Sequence, residues 1–259
     1  MQQAQDGALD MGDLTAAFTR QGFVVVREFW SRAACAAAEH DIRLALSPVL
    51  GPAEFEADVG YPGAPPGRAA PGGDTPRRLL FAYSRFPALR EFATAPALRR
   101  CLRSLLSTDD VRLSQGHHNC VMTKAPGFSS ATLWHQDVRY WSYARPELIS
   151  AWLAIGAESA ENGALRVIPG PHRQEFPASR LDGQKFLIPE QPANAALIDS
   201  AVTVELAPGD LLLFHCRLFH AAGRNSSMSM KLSPVFTYRA GDNLPLSGTR
   251  SSAYPDIAL

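Results

Sequence analysis

The sequence predicts a mainly β protein, a jelly roll of two packed sheets with amino-terminal helices laid on one outer face. Three observations carry this. Helical patterns precede Asp110, and after it the texture changes. Beyond it the chain breaks into eight short β-prone runs: Val111–Ser114, Asn119–Thr123, Leu133–Asp137, Leu148–Ile155, Leu165–Ile168, Val202–Leu206, Asp210–Cys216 and Met230–Tyr238. Gly and Pro punctuate them, which argues a double-sheet jelly roll rather than a parallel α/β sheet.

In chain order, Leu14, Ala17 and Phe18 mark a short amphipathic helix that stops at Gly22, and Phe23 to Val26 reads as a strand. Ser31 caps an alanine-rich helix through about Leu46, with Pro48 and Gly51 marking its end. From Gly51 to Asp74 the chain is expected to be a long surface loop, disordered or a lid, because its Gly60-Tyr-Pro-Gly-Ala-Pro-Pro-Gly-Arg-Ala-Ala-Pro-Gly-Gly stretch cannot sustain a ladder or a helix. Arg77 and Arg78 follow it, and Leu98 to Leu106 reads as a helix whose arginines face water. No internal repeat or second-domain boundary is visible. The expectation is one domain over 1–259: a helical amino-terminal region over residues 1–110 with a loop at 51–76, a β core over 111–240 and a tail over 241–259.

Composition narrows the function. A chain of 259 residues that is 46% hydrophobic can bury a large core. Lys plus Arg equals Asp plus Glu at 25 each, so no global field draws it to nucleic acid or to an anionic membrane, and a small-molecule partner is expected. The amino terminus lacks the basic-then-apolar order of a signal peptide, and no apolar run approaches the roughly 20 residues of a membrane span. A cytoplasmic monomer or homodimer is expected. Cys35, Cys101, Cys120 and Cys216 lack the paired spacing of a zinc site and are expected to be buried free thiols.

The chemistry centres on Thr132 to Tyr143. His135 and Asp137 stand two apart, and at the end of a strand this spacing puts both on one face, where they could grip one metal ion. His215 and His220 can supply a third ligand. Two imidazoles and one carboxylate hold Fe(II) on one octahedral face and leave three positions open. Eleven residues beyond His220, Lys231 opens an apolar and hydroxylic strand. A buried cation needs an anion, which a dicarboxylic co-substrate chelating the iron at its other end would provide.

These stretches resemble the phytanoyl-CoA dioxygenase family of Fe(II)/2-oxoglutarate oxygenases. Gly22-Phe-Val-Val-Val-Arg-Glu resembles its opening strand, Lys124-Ala-Pro-Gly the lead into the metal motif and Trp134-His-Gln-Asp the motif itself. Ile149-Ser-Ala-Trp-Leu-Ala-Ile, Glu161-Asn-Gly-Ala-Leu-Arg-Val-Ile-Pro-Gly-Pro-His-Arg and Gly209-Asp-Leu-Leu-Leu-Phe-His follow in the family's order, so the likeness runs from Leu14 to Arg239. It implies a double-stranded β-helix (cupin-like) core and an iron triad of His135, Asp137 and His220. It also implies that Lys231 replaces the family's usual arginine at the distal carboxylate of 2-oxoglutarate. Ser233 is expected to assist Lys231, and Asn119 and Thr132 fall where relatives place polar groups near the oxoacid.

The implied activity uses iron, 2-oxoglutarate and dioxygen to hydroxylate an unactivated C–H, releasing succinate and carbon dioxide. No further catalytic side chain is implied beyond the metal site. Asp137 stands where halogenating relatives have a small residue, which favours hydroxylation. Lys124, Arg139, Tyr140, Trp141 and Arg250 are the expected substrate-binding residues, and the arginines among them suit an anionic metabolite. Two other readings stay open: a cupin-like metal enzyme that does not use 2-oxoglutarate, and a non-catalytic ligand-binding relative. Of the remaining histidines, at most one of His117 and His118 is expected at the site, because strand neighbours face opposite ways. His215 is expected in the core or behind the site, and His172 in a turn.

Overall fold

The structure, a computed structural model, describes residues 10–259. Residues 1–9, within the stretch read above for a leader, lie outside the described residues. Helix α1 (Met11–Gln21) starts where the Asp10 carboxylate accepts the N–H groups of Gly12 and Asp13, and ends at Gly22 with φ 83°. Only glycine fits there, since a Cβ would lie 2.6 Å from Nδ1 of His172. After strand β1 (Phe23–Val26), Ser31 caps α2 (Arg32–Leu46) as expected. Three further helices, α3 (Ala82–Arg85), α4 (Pro87–Ala93) and α5 (Pro96–Leu106), follow the short strands β2 (Ala53–Phe55) and β3 (Pro76–Leu80). Proline at the first turn of α4 and α5 occupies a position with no intrahelical N–H bond to lose.

The β core holds β4 (Val111–Lys124), β5 (Thr132–His135), β6 (Leu148–Leu153) and β7 (Leu165–Val167). Helix α6 (Pro192–Asp199) precedes β8 (Val202–Thr203), β9 (Leu211–His215), β10 (His220–Ala222), β11 (Lys231–Ala240) and β12 (Ile257–Ala258). The larger sheet runs β1-β9-β6-β11-β4-β3-β2, with β12 on the other half of the long β4, and the smaller runs β5-β10-β7-β8. Pro234 sits in β11 just outside the stretch paired with β6, where its missing N–H costs that ladder nothing.

Two cores follow from the period of two. Leu211 and Leu213 of β9, with Ile149 and Ala151 of β6 and Phe236 and Tyr238 of β11, pack against α1, α2, α4 and α5. Leu212 and Phe214 turn the other way, with Trp152 and Val235, toward Leu165 and Val167 of the smaller sheet. With both faces covered, β9 reads as an apolar run rather than as alternation, and β11 is buried along its whole length. The four cysteines are buried and free.

Four expectations need correction. The runs at 111–114 and 119–123 are one strand, β4, whose residues 115–118 bulge out between the pairings Ser114–Thr237 and Asn119–Phe236. The strand drawn to Asp137 ends at His135, and Asp137–Tyr140 forms a 3-10 turn. The strand drawn to Leu206 is only Val202–Thr203, followed by an isolated bridge from Leu206 to Glu158. The 51–74 segment, expected to be a loop throughout, opens with strand β2, which precedes the Gly-rich stretch and pairs with β3.

Candidate metal centre and co-substrate cavity

His135 ends β5 and His220 opens β10, and the two are register partners on neighbouring antiparallel strands. Asp137 reaches the same point from the 3-10 turn, held by the Val138 N–H on the Cys216 carbonyl at 3.0 Å. Its Oδ1 lies 3.8 Å from Nε2 of His135 and 3.6 Å from Nε2 of His220. Both imidazoles donate Nδ1–H to a carbonyl two residues back, Leu133 at 2.8 Å and Leu218 at 3.0 Å. That bond sets the tautomer and leaves each Nε2 lone pair aimed at the shared point.

Among the described residues, these three form the group whose ligand atoms can hold one metal ion, all within 4.8 Å of one another. The set fits iron: two neutral imidazoles, one carboxylate and an open side toward the cavity. Burial raises the Asp137 pKa, but His118, His220 and His135 outweigh it and hold the carboxyl below its usual range. Burial and the charge of His220 push His135 down to about 3, so it stays a neutral ligand.

The triad faces a cavity of about 330 Å³ lined by Lys124, Thr132, Arg139, Tyr140, Trp141, Lys231 and Arg250, all expected at the site. Two other expected residues do not line it. Asn119 is buried with Oδ1 accepting the Tyr83 N–H, and the Ser233 hydroxyl donates to Glu158 at 2.7 Å. His117 and His118 both line the cavity, contrary to strand alternation, because the 115–118 bulge breaks the period of two. His118 approaches Asp137 Oδ2 at 3.7 Å, and Ser150 donates to the same oxygen at 3.4 Å. His215 lies away from the triad, its ring 5.4 Å from that of His172.

The expected setting of Lys231 needs correction too. Its ammonium already has an anion within the chain, Glu158, at 3.0 Å. Glu158 is fixed by Trp152 Nε1–H at 3.0 Å and by Ser233. The pairing was invisible in the sequence because 73 residues separate its members.

Sequence reasoning also missed the arginine environment. Arg77 is buried against Glu54, Glu56, Ser130 and Thr132, and so ties the 51–76 segment to the core. Arg78 lines the cavity and makes no hydrogen bond among the described residues, its nearest anion being Glu54 at 3.5 Å. The Arg139 guanidinium stacks on Phe186 at 3.7 Å and on Tyr140 at 4.5 Å, with Nη1 buried and without a partner among the described residues. Phe186, far along the chain in an irregular stretch, carried no signal that it would meet the metal motif.

Comparison with known proteins gives the family. The family profile described as phytanoyl-CoA dioxygenase matches residues 18–233. The ectoine dioxygenase of Sphingopyxis alaskensis is 26% identical over 88% of this chain and 75% of its own length, and that of Halomonas elongata 25% over 92% and 72%. In fold, the S. alaskensis enzyme EctD with 2-oxoglutarate and 5-hydroxyectoine superposes with a TM-score of 0.72 at 20% identity, covering 95% of this chain and 81% of that one. The non-heme alpha-ketoglutarate-dependent epimerase SnoN from nogalamycin biosynthesis gives 0.71 at 22%, covering 89% and 83%. The chain belongs to the phytanoyl-CoA dioxygenase family: it is an iron- and 2-oxoglutarate-dependent dioxygenase acting with dioxygen on a small molecule.

Proposed function

We propose that the protein hydroxylates an unactivated C–H bond of a small anionic metabolite, with His135, Asp137 and His220 as iron ligands. When bound, iron and 2-oxoglutarate together activate dioxygen, with release of succinate and carbon dioxide and delivery of one oxygen atom to the substrate. The chain's own residues orient and enclose. Ser150 and His118 hold the free carboxylate oxygen of Asp137, and the Leu133 and Leu218 carbonyls fix the two imidazoles. Trp141, packed on His117 and His118, walls the side of the cavity toward the tail.

The observation that carries the anionic substrate is the unpartnered Nη1 of Arg139. Buried polar groups are nearly always hydrogen-bonded, and this donor, which has no partner among the described residues, belongs to a side chain that lines the cavity and stacks on the Tyr140 and Phe186 rings. Arg78 and Arg250 line the same cavity, so a carboxylate or phosphate would find planar, two-pronged donors. We infer that residues 1–259 act as one domain, in the cytoplasm, as a monomer or homodimer without nucleic acid. Among the described residues no helix is long and apolar enough to cross a membrane.

The test is succinate release over a panel of small carboxylates and phosphates paired with their neutral amides or alcohols. Stimulation by acids alone, abolished by Arg139→Met while 2-oxoglutarate binding persists, is the expected result. Equal stimulation by the neutral partners would overturn the anionic assignment.

A further inference from the structure

Lys124 and Lys231 are direct register partners on β4 and β11, and both side chains are buried. Like charges facing each other across a ladder repel, and burying them raises the cost. Glu158 offsets one of the two through its bond to Lys231. Among the described residues no carboxylate bonds Lys124, and its ammonium donates to the carbonyls of Ser130 at 2.8 Å and Gly223 at 2.7 Å.

An ammonium has three donors. Lys124 spends two on those carbonyls, and Lys231 spends two on Glu158 and Ser233 at 3.0 and 3.2 Å. One donor of each is left over, and both side chains line the cavity that the metal triad faces. Two cations and one carboxylate leave one positive charge unmatched. A single further carboxylate completes the balance.

We propose that the distal carboxylate of 2-oxoglutarate is held jointly by Lys124 and Lys231, with Lys124 supplying the unmatched charge and Glu158 serving as a built-in counter-ion that keeps Lys231 in place. This rests on 2-oxoglutarate being the co-substrate, and it moves Lys124 from the substrate to the co-substrate. A lone lysine at position 231 offers a point charge where an arginine would offer a fork, and a second lysine restores the two-donor grip.

The charged groups around Lys124 come from several elements: Lys231 on β11, Arg77 on β3, Glu56 in the turn after β2, and Arg224 after β10. Burial first, then Lys231 and Arg77, push the Lys124 ammonium down to about 7, with Glu56 opposing and Arg224 reinforcing. The free site therefore gives up a proton in mildly alkaline solution, and an arriving carboxylate restores it by drawing one from solvent.

The experiment is calorimetric titration of 2-oxoglutarate into anaerobic Fe(II)-loaded protein, in buffers of different ionisation enthalpy. Wild type is expected to take up close to one proton at about pH 8 and about a tenth of one at about pH 6. Lys124→Met is expected to abolish the uptake and weaken binding by about 10- to 100-fold, and Lys124→Arg to restore affinity at about pH 8 without uptake, since arginine stays charged. Uptake that is absent in wild type, or that persists in Lys124→Arg, overturns the lysine pair while leaving the dioxygenase assignment standing. Failure of iron-loaded wild type to bind 2-oxoglutarate at all overturns both.

Discussion

His135 and His220 face each other as register partners across β5 and β10, with ring centroids 4.3 Å apart, although 85 positions separate them in the sequence. The register sets their relation, and the Nδ1 bonds to Leu133 and Leu218 set the ring orientation. A metal held here would meet imidazoles already oriented by those bonds.

Removing one imidazole therefore leaves two fixed ligands that cannot close in. His220→Ala is expected to weaken Fe(II) binding by at least ~10²-fold, the upper range for disturbing merely the groups behind metal ligands. Anaerobic equilibrium dialysis reads this directly. Iron affinity within a few-fold of wild type would rule His220 out as a ligand.

Arg77 joins the 51–76 segment to β5 through buried contacts with Glu56, Ser130 and Thr132. Arg77→Met strands the Glu56 carboxylate among buried groups and is expected to cost about 3–5 kcal/mol of stability. Denaturant unfolding measures it, and faster proteolysis within 51–76 is the accompanying sign. A loss well below this range would mean that Ser130 alone satisfies Glu56.

Glu158→Gln leaves the Lys231 ammonium without its carboxylate. In the absence of co-substrate, a loss of about 3–5 kcal/mol is expected. Added 2-oxoglutarate should then raise the melting temperature of the iron-loaded variant by more than it raises that of wild type, because the incoming carboxylate fills the vacant role. An equal rise in both proteins would show that Glu158 and the co-substrate do not share a charge balance.

Acid is expected to weaken the fold through His215. Burial, then the charge of His172, push its pKa down to about 3, against about 6.5 in an unfolded chain. Between those values the unfolded chain binds a proton that the native one refuses, so stability falls as pH falls from about 6.5 toward 3. His215→Leu removes one titrating group and is expected to flatten the slope by up to about 1.4 kcal/mol per pH unit. An unchanged slope in denaturant series across that range would place the acid sensitivity elsewhere.

Much of the architecture is legible along the chain because it follows from local rules. Ser31 as a cap, Gly22 as a helix stop and the apolar period through Leu211–Phe214 are dictated by neighbours a few residues away. His135, Asp137 and His220 could be grouped from the sequence because three potential ligands stand in matched stretches, and the fold brings them together. The strands β2, β3, β10 and β12 were not legible, since two to five residues with no helical or alternating signature become strands only when a partner edge is present.

What the sequence by itself determined is the type of core, the donor chemistry of the metal site and the presence of a cation at 231. Tertiary structure alone decided which charges share that cation's surroundings. Glu158 reaches Lys231 across 73 residues and Lys124 faces it across a ladder. It likewise decided that a bulge in β4 would turn both His117 and His118 inward. Register, bulges and buried ion pairs depend on which strands meet, and their energies belong to the assembled sheet rather than to any stretch of chain.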